Sequence, residues 1–193
     1  MKSPNLLSGP TKINMEQDFF LKEGEQTKIT KNILKVASEF IGENFDLIIQ
    51  ILKWIHKNLE SNSDKEIKDK LFRKRTADQI IKDGFTTGCT DIALVFIALA
   101  RAKNVPTKYV EAIRRKWMET GDEDSIEGHV FAEVFLNGKW HIIDPTEACL
   151  KFWYDRWIIY EVGLDSWDIG IHSFQELKQK FLEFRKQALK QNR

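Results

Sequence analysis

The sequence predicts an α+β domain in which a buried, cysteine-bearing helix packs on an antiparallel sheet, with helices ahead of it and a C-terminal helix behind. Three observations lead there. Two runs at about 28–40 and 44–59 carry apolar residues at helical spacing, the second through Phe45, Ile48, Leu52, Ile55 and Leu59. The run DIALVFIALARA from Asp91 is apolar on nearly every side, as a helix at the centre of a domain must be. The segment HVFAEVFLNGKWHIIDPT contains Asn137-Gly138, the favoured pair for a two-residue type I′ hairpin turn, because both positions need φ above zero.

The 193 residues suffice for one domain with a sizeable core. Residues 1–27 hold Pro4, Gly9, Pro10 and Gly24 among polar residues and predict an irregular lead-in with one short helical turn near Phe19–Leu21. The domain then occupies 28–193. The charge-rich stretch 60–75 predicts a solvated linker or frayed helix, a poor place for a site. A short helix follows from Ala77 to Lys82 and stops at Asp83-Gly84. The central helix ends at KNVP, where Pro106 prevents continuation. Thr107–Ile113 is a strand, followed by the basic triplet Arg114–Lys116 and an acidic loop, Glu119–Glu127. Beyond the hairpin lies a strand-like aromatic stretch. Ser173 and Glu176 then form a capping-box start for a helix whose Phe174, Leu177, Phe181 and Ala188 share a face.

Composition excludes several function classes. Thirty Lys and Arg against twenty-nine Asp and Glu give a net charge of +1, so no global field argues for nucleic acid or an anionic membrane. Two cysteines, Cys89 and Cys149, form neither a disulfide framework nor a four-ligand zinc site, and a reduced, cytoplasmic setting fits them. No apolar run reaches signal-peptide or membrane-span length, so a soluble, unexported protein is expected. The histidines show no metal-ligand spacing; neither a metal nor a cofactor is expected.

The chemistry-bearing residues converge instead on Cys89. It falls in the first turn of the central helix, where unpaired N–H groups and the positive end of the helix dipole favour a thiolate and can hold an oxyanion. Gly88 leaves room for a substrate backbone. Asp91 opposes thiolate formation unless its carboxylate is occupied in capping, the role expected of it. If Asn137-Gly138 is a two-residue loop, Leu136 faces Lys139, Glu133 faces Ile142, Phe131 faces Asp144 and His129 faces Thr146. His129 and Asp144 are then diagonal neighbours on one face of the sheet, a separation that an imidazole and a carboxylate can bridge. A carboxylate on one ring nitrogen leaves the other to take a thiol proton, the logic of a Cys-His-Asp triad. Taken singly, each residue has a plainer role: a packed cysteine, a satisfied histidine, a turn-forming aspartate. Their joint placement favours the triad. Cys149 is expected to pack, and His141 to face away from Asp144; His56 and His172 lack partners. Trp54 and Gln79 are possible oxyanion-hole donors but stay outside the catalytic set. Glu133 is expected in a structural ion pair with Arg101 or Arg114. The acidic loop has five carboxylates in nine residues and reads as solvated; over a cleft it would attract basic substrates.

The blocks GCTDIALVFIALARAKNVPTKYVEA and GHVFAEVFLNGKWHIIDPT, with WDIGIHSF downstream, resemble the core of the transglutaminase-like superfamily, in a prokaryotic form, and the resemblance puts the catalytic core at about 76–172. The resemblance implies a papain-like fold and carries the family's triad onto Cys89, His129 and Asp144. It implies acyl chemistry through a thioester at Cys89, on a peptide or protein amide substrate. The preferred reading is a transglutaminase-like cysteine peptidase or amidase, without a membrane or nucleic-acid partner and with the oligomeric state open. The alternatives are cross-linking acyl transfer to an amine and a non-catalytic binding module that keeps the fold.

Overall fold

Local signals set the ends of most elements in the computed structural model, which describes residues 12–191. Ahead of the sheet come α1 (Lys12–Phe20), α2 (Lys31–Ala37), α3 (Asn44–Asn58), β1 (Glu60–Ser61), α4 (Lys65–Leu71), α5 (Ala77–Asp83), β2 (Phe85–Thr86) and α6 (Cys89–Ala102). There follow β3 (Thr107–Arg114), α7 (Arg115–Thr120), β4 (Gly128–Leu136), β5 (Lys139–Asp144), β6 (Cys149–Lys151), β7 (Trp157–Gly163) and α8 (Phe174–Gln191). Thr30 caps α2, and Thr76 with Gln79 closes a full capping box on α5, which ends at Gly84 in the left-handed region. Ser173 caps α8, but the Glu176 carboxylate reaches one residue further back than a capping box requires and accepts from the His172 N–H at 2.6 Å.

Strands β3 to β7 form one antiparallel sheet in the order β6-β5-β4-β3-β7, so the chain crosses the sheet to lay β7 beside β3. Asn137 (φ 51°) and Gly138 (φ 82°) make the expected two-residue turn, and the ladder runs from Leu136 opposite Lys139 to Ala132 opposite Ile143, the register expected. One face, with Tyr109, Val130, Ala132 and Val134, packs on α6, α2, α3 and α5. The other carries Val110, Ala112 and Phe131 against Ile142, Tyr154 and Trp157. At the ends of β3 and β7, Trp117 and Met118 of α7 join Leu177 and Phe181 of α8 in a second cluster.

Helix α6 is buried almost throughout, as its composition demands. Hydrophobic burial has no direction, so its orientation must come from polar contacts. Arg101, in its last turn, donates to the Thr107 carbonyl from both Nε and Nη2, at 3.1 and 2.6 Å, and to the Phe20 carbonyl and Thr27 Oγ1. The C-terminal end of α6 thus meets the beginning of β3, the helix runs back along that strand, and Cys89 arrives where β3 ends and β4 begins.

Four expectations need correction. The lead-in carries more helix than a single turn: α1 spans Lys12–Phe20 and inserts Phe20 against Trp140, while 21–27 are irregular as expected and residues 1–11 lie outside the described residues. The basic triplet opens a helix, α7, because Trp117 has a pocket against Phe181 to fill. Helix α4 is as solvated as expected, yet the same stretch ends in two buried arginines, Arg73 and Arg75, each matched to a buried carboxylate. Glu133 pairs with neither Arg101 nor Arg114. It accepts from the Tyr154 hydroxyl at 2.6 Å and meets Lys108 at 3.3 Å, because Arg101 is committed to carbonyls and Arg114 to Glu127. No helix among the described residues is long and apolar enough to cross a membrane.

Arg73 lies under the sheet with Nη2 on Glu111 and Nη1 on the Tyr109 hydroxyl (2.9 Å) and Ser166 Oγ (2.7 Å), while Tyr109 itself donates to Glu111 at 2.7 Å. Breaking such a pair strands a charge. We expect Glu111→Ala to lose about 3–5 kcal/mol of stability in urea unfolding; a loss below about 1 kcal/mol would mean that water reaches the guanidinium.

Candidate active site

Cys89 is the first residue of α6, after Gly88. No side chain caps this helix, and its first backbone bond runs from Ile92 N–H to the Gly88 carbonyl. The N–H groups of Cys89, Thr90 and Asp91 therefore have no intrahelical acceptor and sit at the positive end of the dipole. A Cβ at Gly88 would meet nothing within 4 Å, so the backbone just before Cys89 can be approached closely. Asp91 does not bond its own helix: its Oδ2 accepts from the Thr87 N–H and Thr87 Oγ1, both at 2.8 Å, and from Arg75 Nη2. The capping expected of it takes the form of a clamp on the turn before Cys89.

His129 is the second residue of β4, and by alternation its side chain leaves the sheet on the face away from α6. Its position at the strand end lets the ring serve two partners. Nε2 lies 3.1 Å from both oxygens of Asp144, the last residue of β5. That occupies one nitrogen and leaves Nδ1 as the ring nitrogen not engaged by Asp144. Burial alone would lower the imidazole pKa; hydrogen bonds to Asp144 and Cys89 and the charges of both outweigh it and push the value up to about 10. Burial would raise the Asp144 carboxyl, but the His129 hydrogen bond and charge, the Glu147 N–H and Lys151 hold it below the usual carboxylate range. The Thr146 and Glu147 N–H groups both donate to its Oδ1, so the turn after β5 fixes its rotamer.

The imidazole also borders a cavity of about 230 Å³ on the side of the sheet away from α6, walled by Phe131, Asp144, Trp153, Tyr154 and Trp157. Trp157 stacks on the ring at 5.1 Å between centroids and Phe131 meets it edge-on at 4.6 Å. Cys89 is not part of this wall, so His129 is the group common to sulfur and cavity. Trp153 in the cavity wall and its chain neighbour Phe152 are 67% and 86% exposed, a large apolar surface beside the site.

The weaker candidates fall elsewhere. Trp54 Nε1 donates to Glu39 and Gln79 is spent in its capping box, so neither faces Cys89. His141 meets the Leu136 carbonyl and Phe45, and His56 meets the Pro145 carbonyl at 2.8 Å. His172 finds Glu176 at 3.3 Å and Trp167. Cys149 pairs across from Asp144 and is only half-buried; burial raises its thiol pKa, opposed by Lys151. Among the described residues no group of three or more His, Cys, Asp or Glu is placed to hold a metal. Sequence reasoning passed over Arg73 and Arg75. Asp91 carried the usable signal, since a carboxylate on an apolar helix requires a cation and Arg73 and Arg75 are the nearest upstream arginines.

The sequence matches the Transglutaminase-like superfamily over residues 35–145, more than half of the chain and all three of Cys89, His129 and Asp144. That match starts well upstream of residue 76 and takes in both arginines. Among solved structures, a candidate cysteine protease from Cytophaga hutchinsonii superposes with a TM-score of 0.62 at 22% identity, over 80% of this chain and 50% of that one. This chain spans about half the length of that structure, and the likeness is one of fold. A TGase structure aligns at 17% identity over 74% of this chain and 35% of that one, but its TM-score of 0.37 is too low to bear on the fold. No curated protein matches the sequence.

The raised imidazole pKa has a stability consequence. A group whose folded value of about 10 lies above the ~6.5 of an unfolded chain stabilises fully below ~6.5, and that contribution disappears as the pH rises through the folded value. The stability lost in His129→Gln should therefore be largest near pH 6 and shrink toward pH 10 in denaturant titrations. A difference that stays constant over this range would remove the charged imidazole.

Proposed function

We propose, because this chain belongs to the transglutaminase-like superfamily, that it carries out cysteine-dependent acyl chemistry on a peptide or carboxamide bond with Cys89 as nucleophile, His129 as acid and base, and Asp144 as its orienting group. The observation that carries the reading is the setting of His129, whose Nε2 meets both oxygens of Asp144 and whose pKa is raised by Cys89 as well as by Asp144. An imidazolium beside a sulfur at a helix N-terminus is the setting of a thiolate nucleophile.

The steps follow from the geometry. The sulfur attacks the carbonyl carbon of a substrate that the bare backbone at Gly88 lets approach, and the oxyanion is met by the N–H groups of the first α6 turn. The C–N bond breaks as His129 gives its proton to the departing amine, leaving a thioester on Cys89. Water or a second amine then loses a proton to His129 and attacks the thioester, and the sulfur departs as thiolate. The departing nitrogen is bonded to the carbon that the sulfur attacks, so it takes its proton from the ring nitrogen that Asp144 leaves free, and the cavity beside His129 receives the remainder of the leaving or entering group.

Alkylation tests the nucleophile without a known substrate. Iodoacetamide should label Cys89 at about pH 6 at least tenfold faster than Cys149, and His129→Ala should abolish the difference. Equal labelling of the two cysteines would leave a binding module that retains the fold. Mass analysis of carboxamide peptides incubated with and without a primary amine then separates hydrolysis from transfer. Trp153→Ala should raise KM severalfold for peptides with bulk on the leaving-amine side while leaving Cys89 labelling untouched; an unchanged KM would take the cavity out of the site.

A further inference from the structure

The stretch ahead of α5 enters the site at one point. Arg75 is 5% exposed at its side chain and Asp91 is 3% exposed, and the two are ion-paired beneath the turn that presents Cys89. The Arg75 Nη1 is held by Asp83 at 2.8 Å, and the guanidinium lies over the Phe85 ring at 4.5 Å, so the cation cannot swing away. Its partner carboxylate sits two residues after the nucleophile and grips Thr87, two residues before it, through both the backbone N–H and the hydroxyl.

We infer that Arg75 is a positioning residue for the thiol chemistry: by neutralising and holding Asp91 it fixes the Thr87–Gly88 turn and removes a buried negative charge that would oppose the Cys89 thiolate. This rests on the nucleophilic reading of Cys89. The physics gives both roles from one contact. A buried, unpaired carboxylate near a sulfur disfavours its ionisation, whereas a paired one is close to neutral in its effect. The same carboxylate, once oriented by the guanidinium, sets the direction of the turn that aims the first N–H groups of α6. The charged and titratable groups facing Cys89 are otherwise His129 with Asp144 on the sheet side, and Arg73 with Glu111 and Tyr109 beneath it; charge at Cys89 is felt at both Arg73 and Tyr109. Arg73 has its own acid in Glu111, so it does not substitute for Arg75.

The test is the pH profile of Cys89 alkylation by iodoacetamide in four proteins. Arg75→Gln should move the midpoint toward higher pH by about one unit, a roughly tenfold slower reaction on the acid limb. Asp91→Asn should move it the other way or leave it in place, and the double variant should return to within a few tenths of a unit of the unaltered protein. That reversal is the signature of charge rather than folding, because a purely structural role would make the double variant worse than either single one. If Arg75→Gln does not fold, Asp91→Asn alone decides: an alkaline shift overturns the inference. A flat profile in Arg75→Gln with fast wild-type labelling overturns it too, whereas slow labelling already in the unaltered protein overturns the nucleophilic reading instead.

Discussion

The position of α6 along β3 is the constraint on which the site depends. An apolar helix in an apolar bed is held strongly but without register, because burial is proportional to area and indifferent to a small slide. Polar contacts at its two ends supply what burial cannot. Arg101 ties the last turn to the Thr107 carbonyl and Asp91 ties the first to Thr87 and Arg75. A slide of one residue along the axis, about 1.5 Å, would break both sets of bonds and take the sulfur away from the sheet end where His129 begins β4.

The second half of the site is fixed by an independent device. The Asn137-Gly138 turn sets the β4–β5 register, the register sets the diagonal of His129 and Asp144, and the turn after β5 locks the carboxylate through two N–H groups. Helix and hairpin meet only because β3 is neighbour to both: it is the strand along which α6 runs and the strand on which β4 is laid. Two local structures, each rigid for its own reasons, therefore bring sulfur and ring together without a flexible side chain having to search.

What was legible in the sequence follows this division. Helices α2, α3, α5, α6 and α8, strand β3 and the hairpin with its register all rest on local periodicity, capping and turn chemistry, and they lie where the sequence places them. Features that depend on a distant partner were not legible. Helix α7 forms because Trp117 packs on Phe181, α1 because Phe20 packs on Trp140, and β7 crosses the sheet to an edge that no local signal marks. The arginines misled for a related reason: in a charge-rich stretch a solvated side chain is the usual outcome, and only the acids at Glu111 and Asp91, from segments far along the chain, make burial affordable. The cavity walls at Trp153, Tyr154 and Trp157 escaped notice because a loop between two short strands carries no period to read.

The separation of sulfur and cavity by the imidazole bears on how such a site divides its work. On the α6 side lie the helix N–H groups, the open space at Gly88 and the buried cations, all suited to an acyl group and its transient negative charge. On the other side lies a cavity of about 230 Å³ in which the aromatic wall of Phe131, Trp153, Tyr154 and Trp157 is joined by the charged side chains of Arg114, Glu147, Lys151, Asp155 and Arg156. A proton relay with unlike surroundings on its two faces need not choose its reaction through the triad. The aromatic walls favour apolar bulk in an entering group by about 25 cal/mol per Å² buried, while the charged side chains of the same cavity give water polar partners. On the proposed chemistry, the competition between hydrolysis and transfer therefore turns on how an entering group divides its contacts between the Trp153–Trp157 wall and the charged side chains beside it, while Cys89, His129 and Asp144 remain common to both outcomes.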